Sequence, residues 1–183
     1  MKRTIGGIPV FIVMIVILIG VLQLLNWIPS AVQEGAFGRF GSVEEVRAKL
    51  KISPLLMPVY YPRSIRWPPS LIAAQTRPYR GVVTEFLKSD GSETGLVITQ
   101  TERNQPPLQE RIRLSTLRER VTYPLKGRTA VLEVGACGSK ETCSRISWDE
   151  GAFQMTLTML ASPVDLIAIA ESMVTDAAGT GTP

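Results

Sequence analysis

Histidine is absent from this 183-residue chain and cysteine occurs only twice. Without histidine there is no side chain that titrates near neutrality by default, and the commonest metal ligand and haem ligand are missing. Two cysteines cannot build a cysteine-only zinc site or an iron–sulfur cluster. A serine nucleophile would lack an imidazole partner, and no Ser–Lys pair stands at a recognisable spacing. Gly135-Ala136-Cys137-Gly138 lacks the lysine and the following helix of a phosphate-cradling loop. Asp149 and Glu150 are adjacent on a tight turn, where side chains diverge, so they are expected as turn residues and not as an acid–base pair. The expectation is a non-enzyme with no metal, no cofactor and no catalytic residue.

Charge is also missing from one long stretch: no Lys, Arg, Asp or Glu stands between Arg3 and Glu34. Within it, residues 8–28 are almost wholly aliphatic. Twenty-one residues rising about 1.5 Å each cover roughly 31 Å, the thickness of a bilayer core. β-branched residues weaken helices in water, but lipid forces every backbone group to pair within the segment, so a helix is expected. Lys2 and Arg3 flank one end; Asn26, Trp27 and Pro29 mark the other. The positive-inside rule then places residues 1–7 in the cytoplasm and everything beyond residue 29 outside, as a single-pass inner-membrane protein with a periplasmic domain. A cleaved signal peptide would have a shorter apolar core and a small-x-small site. Here the candidate sites are poor, with Ile28 two positions before Ser30 and Pro29 two before Ala31.

Composition excludes disordered, collagen-like and coiled-coil classes, with 45% hydrophobic and 20% charged residues. Residues 29–41 are glycine-rich and predict a linker. Ser42 and Glu45 form a capping box, and Val43, Val46 and Leu50 follow at helical spacing. Pro54, Pro58, Pro62, Pro68 and Pro69 exclude helix from the next segment and leave extended chain, with a strand piece around Ser64 to Trp67. β-rich runs then follow at 81–88, 94–100, 128–134, 144–148 and 152–159, with hairpin turns at Asp90-Gly91 and at Asp149-Glu150-Gly151. Phe153, Met155, Leu157 and Met159 alternate with Gln154, Thr156 and Thr158, as in a half-buried strand. Ser162-Pro163-Val164-Asp165 predicts a second helix start, with Ser162 as the cap. The expected fold is α+β: a membrane helix, then one domain over 42–174 with an antiparallel sheet and two packed helices. Residues 175–183 are expected as a mobile tail.

Three short motifs, in this order, resemble a family of bacterial extracytoplasmic domains of unknown function. They are Pro58-Val59-Tyr60-Tyr61-Pro62, Trp148-Asp149-Glu150-Gly151-Ala152-Phe153 and Ile169-Ala170-Glu171-Ser172-Met173. Members often follow one membrane span, and some carry a cytoplasmic zinc-binding anti-sigma module ahead of it. The resemblance covers residues 53–174 and implies a fold and a topology. The short segment before the apolar run leaves no room for an anti-sigma module, so no signalling output is implied.

Cys137 and Cys143 enclose five residues. Outside the cytoplasm such a pair suits a disulfide at a hairpin tip, worth on the order of 2 kcal/mol by chain entropy. Free thiols and a redox pair are the alternatives. No acid stands between Glu45 and Glu85, whereas Lys49, Lys51, Arg63, Arg66, Arg77 and Arg80 do, interleaved with Tyr60, Tyr61, Trp67 and Tyr79. Basic and aromatic residues together suit lipid headgroups, acidic protein surfaces or nucleic acid, and the compartment argues against nucleic acid. The plain alternative is a solvated face whose arginines pair with Glu102, Glu110 or Glu119. Tyr60, Tyr61, Arg63, Arg66, Trp67, Arg77, Tyr79 and Arg80 are therefore the candidate interaction surface. The expected function is a protein-interaction module, an accessory or stabilising subunit of a larger membrane complex such as a bioenergetic one. The alternative is an envelope-sensing or regulatory domain related to anti-sigma systems.

Overall fold

The computed structural model describes residues 11, 13–23, 37–50, 52, 54–91, 93–106, 108, 111–138 and 141–174. The chain divides into two units, 1–37 and 38–183. In the first, helix α1 is described at residues 11 and 13–23, and every side chain described there is exposed. Among the described residues no helix is long and apolar enough to cross a membrane. The expected span over 8–28 lies partly outside the described residues, as does the expected tail over 175–183.

The second unit is α+β. Its elements run β1 (Gly38–Phe40), α2 (Val43–Leu50), β2 (Leu71–Gln75), β3 (Gly81–Leu87), β4 (Thr94–Glu102), β5 (Leu114–Leu125), β6 (Arg128–Cys137), β7 (Glu141–Glu150), β8 (Phe153–Met159) and α3 (Pro163–Met173). All eight strands form one antiparallel sheet in the order β1-β2-β3-β4-β8-β7-β6-β5. After β4 the chain leaps to the far edge, and the β5–β8 meander returns until β8 pairs with β4.

Three strands are not in the sequence reading. β1 falls inside the stretch expected as a linker, because Phe40 packs with Val43 and Leu50 against the core and carries its neighbours into pairing with β2. β2 is a short apolar run between proline-bearing segments. β5 carries the charged triplet Arg118-Glu119-Arg120, which masks an alternation of Leu117, Val121, Tyr123 and Leu125.

Cross-strand partners share a face, so register assigns the core. One row runs Ile72, Thr84, Ile98, Leu157, Ile146 and Leu132 across six strands. On this face Phe86, Leu96, Ile98, Ile146, Trp148, Met155, Leu157 and Met159 are buried with Leu166, Ile169, Ala170 and Met173 of α3. Val46 of α2, with Ile52 and Leu55, buries Ile72, Ala74, Val82 and Phe153 on the same face. Both helices thus cover one side of the sheet. On β8, Gln154 is exposed, Thr156 half-buried and Thr158 buried, so the opposite face passes from wet to covered along that strand.

The helix ends follow local chemistry. Ser42 Oγ accepts the Glu45 N–H at 3.1 Å. Glu45 reaches back to the Gly41 N–H at 2.8 Å, one residue ahead of the usual capping-box partner. Ser162 is extended and its side chain makes no capping bond, contrary to expectation. There Pro163 already presets the entry angle, and Asp165 supplies charge to the first turn.

Between α2 and β2 the proline-rich chain forms a strap pinned at two points. Gln100, buried on the helix-bearing face, donates to the Pro54 carbonyl at 2.5 Å and accepts the Leu56 N–H at 3.1 Å. Ser172 Oγ accepts the Val59 and Tyr60 N–H groups at 3.2 and 3.3 Å while donating to the Ile169 carbonyl at 2.7 Å. The strand piece expected around Ser64 to Trp67 is a single bridge, Ile65 to Lys88.

Cys137 and Cys143 are joined in a disulfide, with Cα atoms 5.5 Å apart. It ties the tip of the β6–β7 hairpin, where Cys137 pairs with Glu141 and Gly135 with Cys143. Reduction should lower the unfolding free energy by about 2 kcal/mol, the chain entropy of so short a loop. Urea titrations with and without a phosphine reductant measure this; an unchanged midpoint would show that strand pairing alone holds the tip.

Candidate interaction surface

The eight basic and aromatic candidates separate into two groups at opposite ends of β3. Tyr60, Tyr61, Arg63, Arg66 and Trp67 lie on the strap, whose Arg66 N–H donates to the Leu87 carbonyl at 2.9 Å. Arg77, Tyr79 and Arg80 lie on the β2–β3 turn, just before Gly81. Seven residues of strand at about 3.3 Å each hold the groups roughly 20 Å apart. They do not form one surface. Sequence proximity and a shared lack of acids suggested one; a strand between them decides otherwise.

The turn group is largely consumed by the fold. Arg80 Nε donates to Glu102 at 2.6 Å, and its guanidinium lies 5.5 Å from the centre of the Phe153 ring. The hydrogen bond from Arg80 holds the Glu102 carboxyl below its ordinary range. Tyr79 donates to the Pro106 carbonyl at 3.0 Å, and burial pushes its hydroxyl pKa up. Arg47, also in the acid-free interval, donates to the Leu55 carbonyl at 2.8 Å. The bland expectation of pairing with Glu102 therefore holds for Arg80.

The strap group is different. Tyr61 packs at a tilt against Trp67 at 4.9 Å and Phe86 at 5.3 Å, and Trp67 stacks on Phe86 at 6.1 Å. Phe86 is fully buried, so the cluster has a rigid floor. Burial raises the Tyr61 hydroxyl to about 12, and that hydroxyl finds no hydrogen-bond partner among the described residues. Above this floor Val59, Tyr60 and Trp67 remain 88%, 45% and 56% exposed. Arg63 and Arg66 are exposed, and among the described residues no ion pair joins either to a carboxylate.

Three further features escape sequence inspection because they arise from strand order. The first is the β5 edge. Residues 115–122 are exposed one after another, including Leu117 and Val121, and β5 pairs only with β6. The second is a charged row on the face away from the helices. Register aligns Glu85, Val97, Thr158, Arg145, Glu133 and Arg120 across six strands. Glu133 lies 3.7 Å from both Arg120 and Arg145. With Val131, Ser147, Gln154 and Thr156 they line an open hollow of about 190 Å³.

The third is Glu85 itself, a buried carboxylate 3.1 Å from Arg111 of the β4–β5 crossover. Burial raises its pKa, and Arg111 and Arg39 only partly oppose the shift. A raised folded-state pKa means that this group favours folding fully below the ordinary carboxyl range. That contribution is lost as pH rises through the folded value. Replacing Glu85 by glutamine should therefore raise the melting temperature relative to the parent more at pH 7.5 than at pH 4. Thermal melts at the two pH values decide it; a variant that loses more at pH 7.5 would show that the Arg111 pair outweighs desolvation.

Asp149 pairs with Arg103 at 2.8 Å, whereas Glu150 takes two hydrogen bonds from Arg128 at 2.5 and 2.7 Å. The adjacent carboxylates thus serve different arginines on opposite faces, but as the last two residues of β7 and not as turn residues: strand alternation separates them, and the turn is Gly151-Ala152. Among the described residues no group of three or more acidic, cysteine or histidine side chains is placed to hold a metal. No family model matches this chain, and neither a curated protein nor a solved structure is similar to it.

Proposed function

We propose that this chain is a non-catalytic, single-pass membrane protein whose sheet domain lies outside the cytoplasm and docks on a membrane-protein partner, as an accessory or stabilising subunit of a larger complex. The observation that carries the docking role is the β5 edge. It is 12 residues long, while the opposite edge strand β1 has three. An unpaired edge of that length is a template for strand addition or for a flat partner face. Its charged triplet and its bulges near Leu114–Thr116 and Leu117–Glu119 guard against indiscriminate pairing. The membrane part of the reading is supported by the charge-free run over 8–28, by Lys2 and Arg3 before it, and by the exposed apolar side chains of α1. The disulfide suits an oxidising compartment.

The hollow beside Glu133 favours a second reading, a sensing domain for a small polar ligand. Its volume of about 190 Å³ is below the usual range of enclosing ligand sites, roughly 300–1,000 Å³, so docking is preferred.

Gentle solubilisation of native membranes with a tagged full chain tests the proposal. Recovery in fixed stoichiometry with a membrane complex is expected, and Leu117→Glu with Val121→Glu should abolish it without loss of the folded domain. Recovery alone, or recovery indifferent to those substitutions, would sink the docking role. A ligand-dependent rise in melting temperature would favour sensing.

A further inference from the structure

We infer that the strap group is a second membrane contact, in which Val59, Tyr60 and Trp67, flanked by Arg63 and Arg66, seat the sheet domain on an anionic bilayer surface. The inference rests on the membrane-anchored reading above and adds a surface and a ligand class to it.

The patch combines what an interfacial contact needs. Trp67 and Tyr60 have ring faces suited to the headgroup level, and Val59 adds aliphatic surface that the described residues leave open. Arg63 and Arg66 add cationic heads that no described carboxylate pairs with. The neighbouring β3–β4 turn contributes Lys88, Asp90 and Glu93, of which Lys88 and Glu93 form an ion pair. With Arg63 and Arg66 counted against Lys88, Asp90 and Glu93, the local charge is net positive by one. The strap is held in place from below by Gln100, Ser172 and the Phe86 floor, so little order has to be gained on contact.

Size decides between lipid and protein as the occupant. A specific protein interface buries about 800 Å² on each partner, and three exposed apolar side chains fall well short of that. A small patch is strengthened when a tether raises its effective concentration, although anionic lipid can also hold it without one. Nine residues lie between Ile28 and Gly38, a reach of about 35 Å at full stretch over the ten Cα steps, which keeps the domain beside whatever bilayer holds the apolar run.

The test uses the full chain in vesicles of phosphatidylcholine, alone or with about one-third phosphatidylglycerol to supply a negative surface potential, with bromine on the acyl chains. A Trp27→Phe background removes the tryptophan of the apolar run, and Trp148, which is 2% exposed, gives the unquenched baseline. Bromine should quench Trp67 more strongly once phosphatidylglycerol is present. Arg63→Glu with Arg66→Glu should remove the gain, each charge shifting the ratio of docked to undocked domain by about five-fold or more. An alkaline carbonate wash separates the two readings. Protein that resists the wash but shows no anionic-dependent quenching overturns the patch and leaves the anchor standing. Protein that washes off yet binds anionic vesicles through the two arginines supports the patch and overturns the anchor. Loss of both overturns both. Charge reversal that leaves quenching unchanged but breaks recovery with a membrane complex assigns the patch to protein and overturns the lipid contact.

Discussion

Phe86→Ala should destabilise the sheet domain by about 4 kcal/mol, the usual cost of truncating a fully buried aromatic. Phe86 is 0% exposed and sits where β3, β4 and the strap meet. It supports Tyr61 at 5.3 Å and Trp67 at 6.1 Å. The loss therefore has two parts: a cavity in the core and a strap whose aromatic pair has lost its floor. Urea unfolding reports the first. Trp67 anisotropy in the folded state reports the second and should fall. Phe86→Leu keeps most of the apolar volume and should cost clearly less. A loss below about 1 kcal/mol for the alanine variant would mean that the surrounding side chains close the gap, which well-packed cores do only in part.

Gly135→Ala should cost about 3 kcal/mol, at the upper end for overpacking, and the damage should be confined to one end of β5. A Cβ at Gly135 would stand 2.0 Å from the Thr116 carbonyl oxygen and 3.1 Å from Leu114 Cδ1. The first obstacle is backbone and cannot rotate away. On the other side β6 is locked to β7 by the pairs Gly135–Cys143 and Val134–Ser144, beside the disulfide. β5 must therefore give, starting at Thr116. Among the β5 amides bonded to β6, exchange is expected to speed up over 114–118 while those of 119–125, beyond the bulge, stay protected. Uniform acceleration across the sheet would show that β5 is not a separable edge. If the β5 edge is the docking site, this variant should also lose its partner while keeping its disulfide and the α3 core.

Much of the fold is legible in the chain, and the reasons are local. The β8 alternation of Phe153 to Met159 states which side chains enter the core. Asp90-Gly91 and Gly151, with φ of +75° and +59° at the two glycines, place the hairpin turns. Ser42 with Glu45, and Pro163 with Asp165, start the two short helices. The candidate surface was legible only in part. The sequence marks residues with unusual composition, but it cannot say that Arg80 would be taken by Glu102 while Arg63 and Arg66 stay free of described carboxylates. Nor does it show that Glu85, ordinary beside Thr84, would be buried next to Arg111 from a crossover.

The amino-acid sequence alone determined the charge-free apolar run, the strand periods, most turns and the cysteine spacing, since each depends on residues a few positions apart. Tertiary structure decided which strand lies beside which. It set β8 against β4, exiled β5 to the edge, aligned Arg120, Glu133 and Arg145, and divided the basic and aromatic residues between two ends of β3. The physical reason is that alternation fixes the face a side chain occupies but is silent on its neighbour. Neighbours are chosen by the burial of the whole helix-covered face at once.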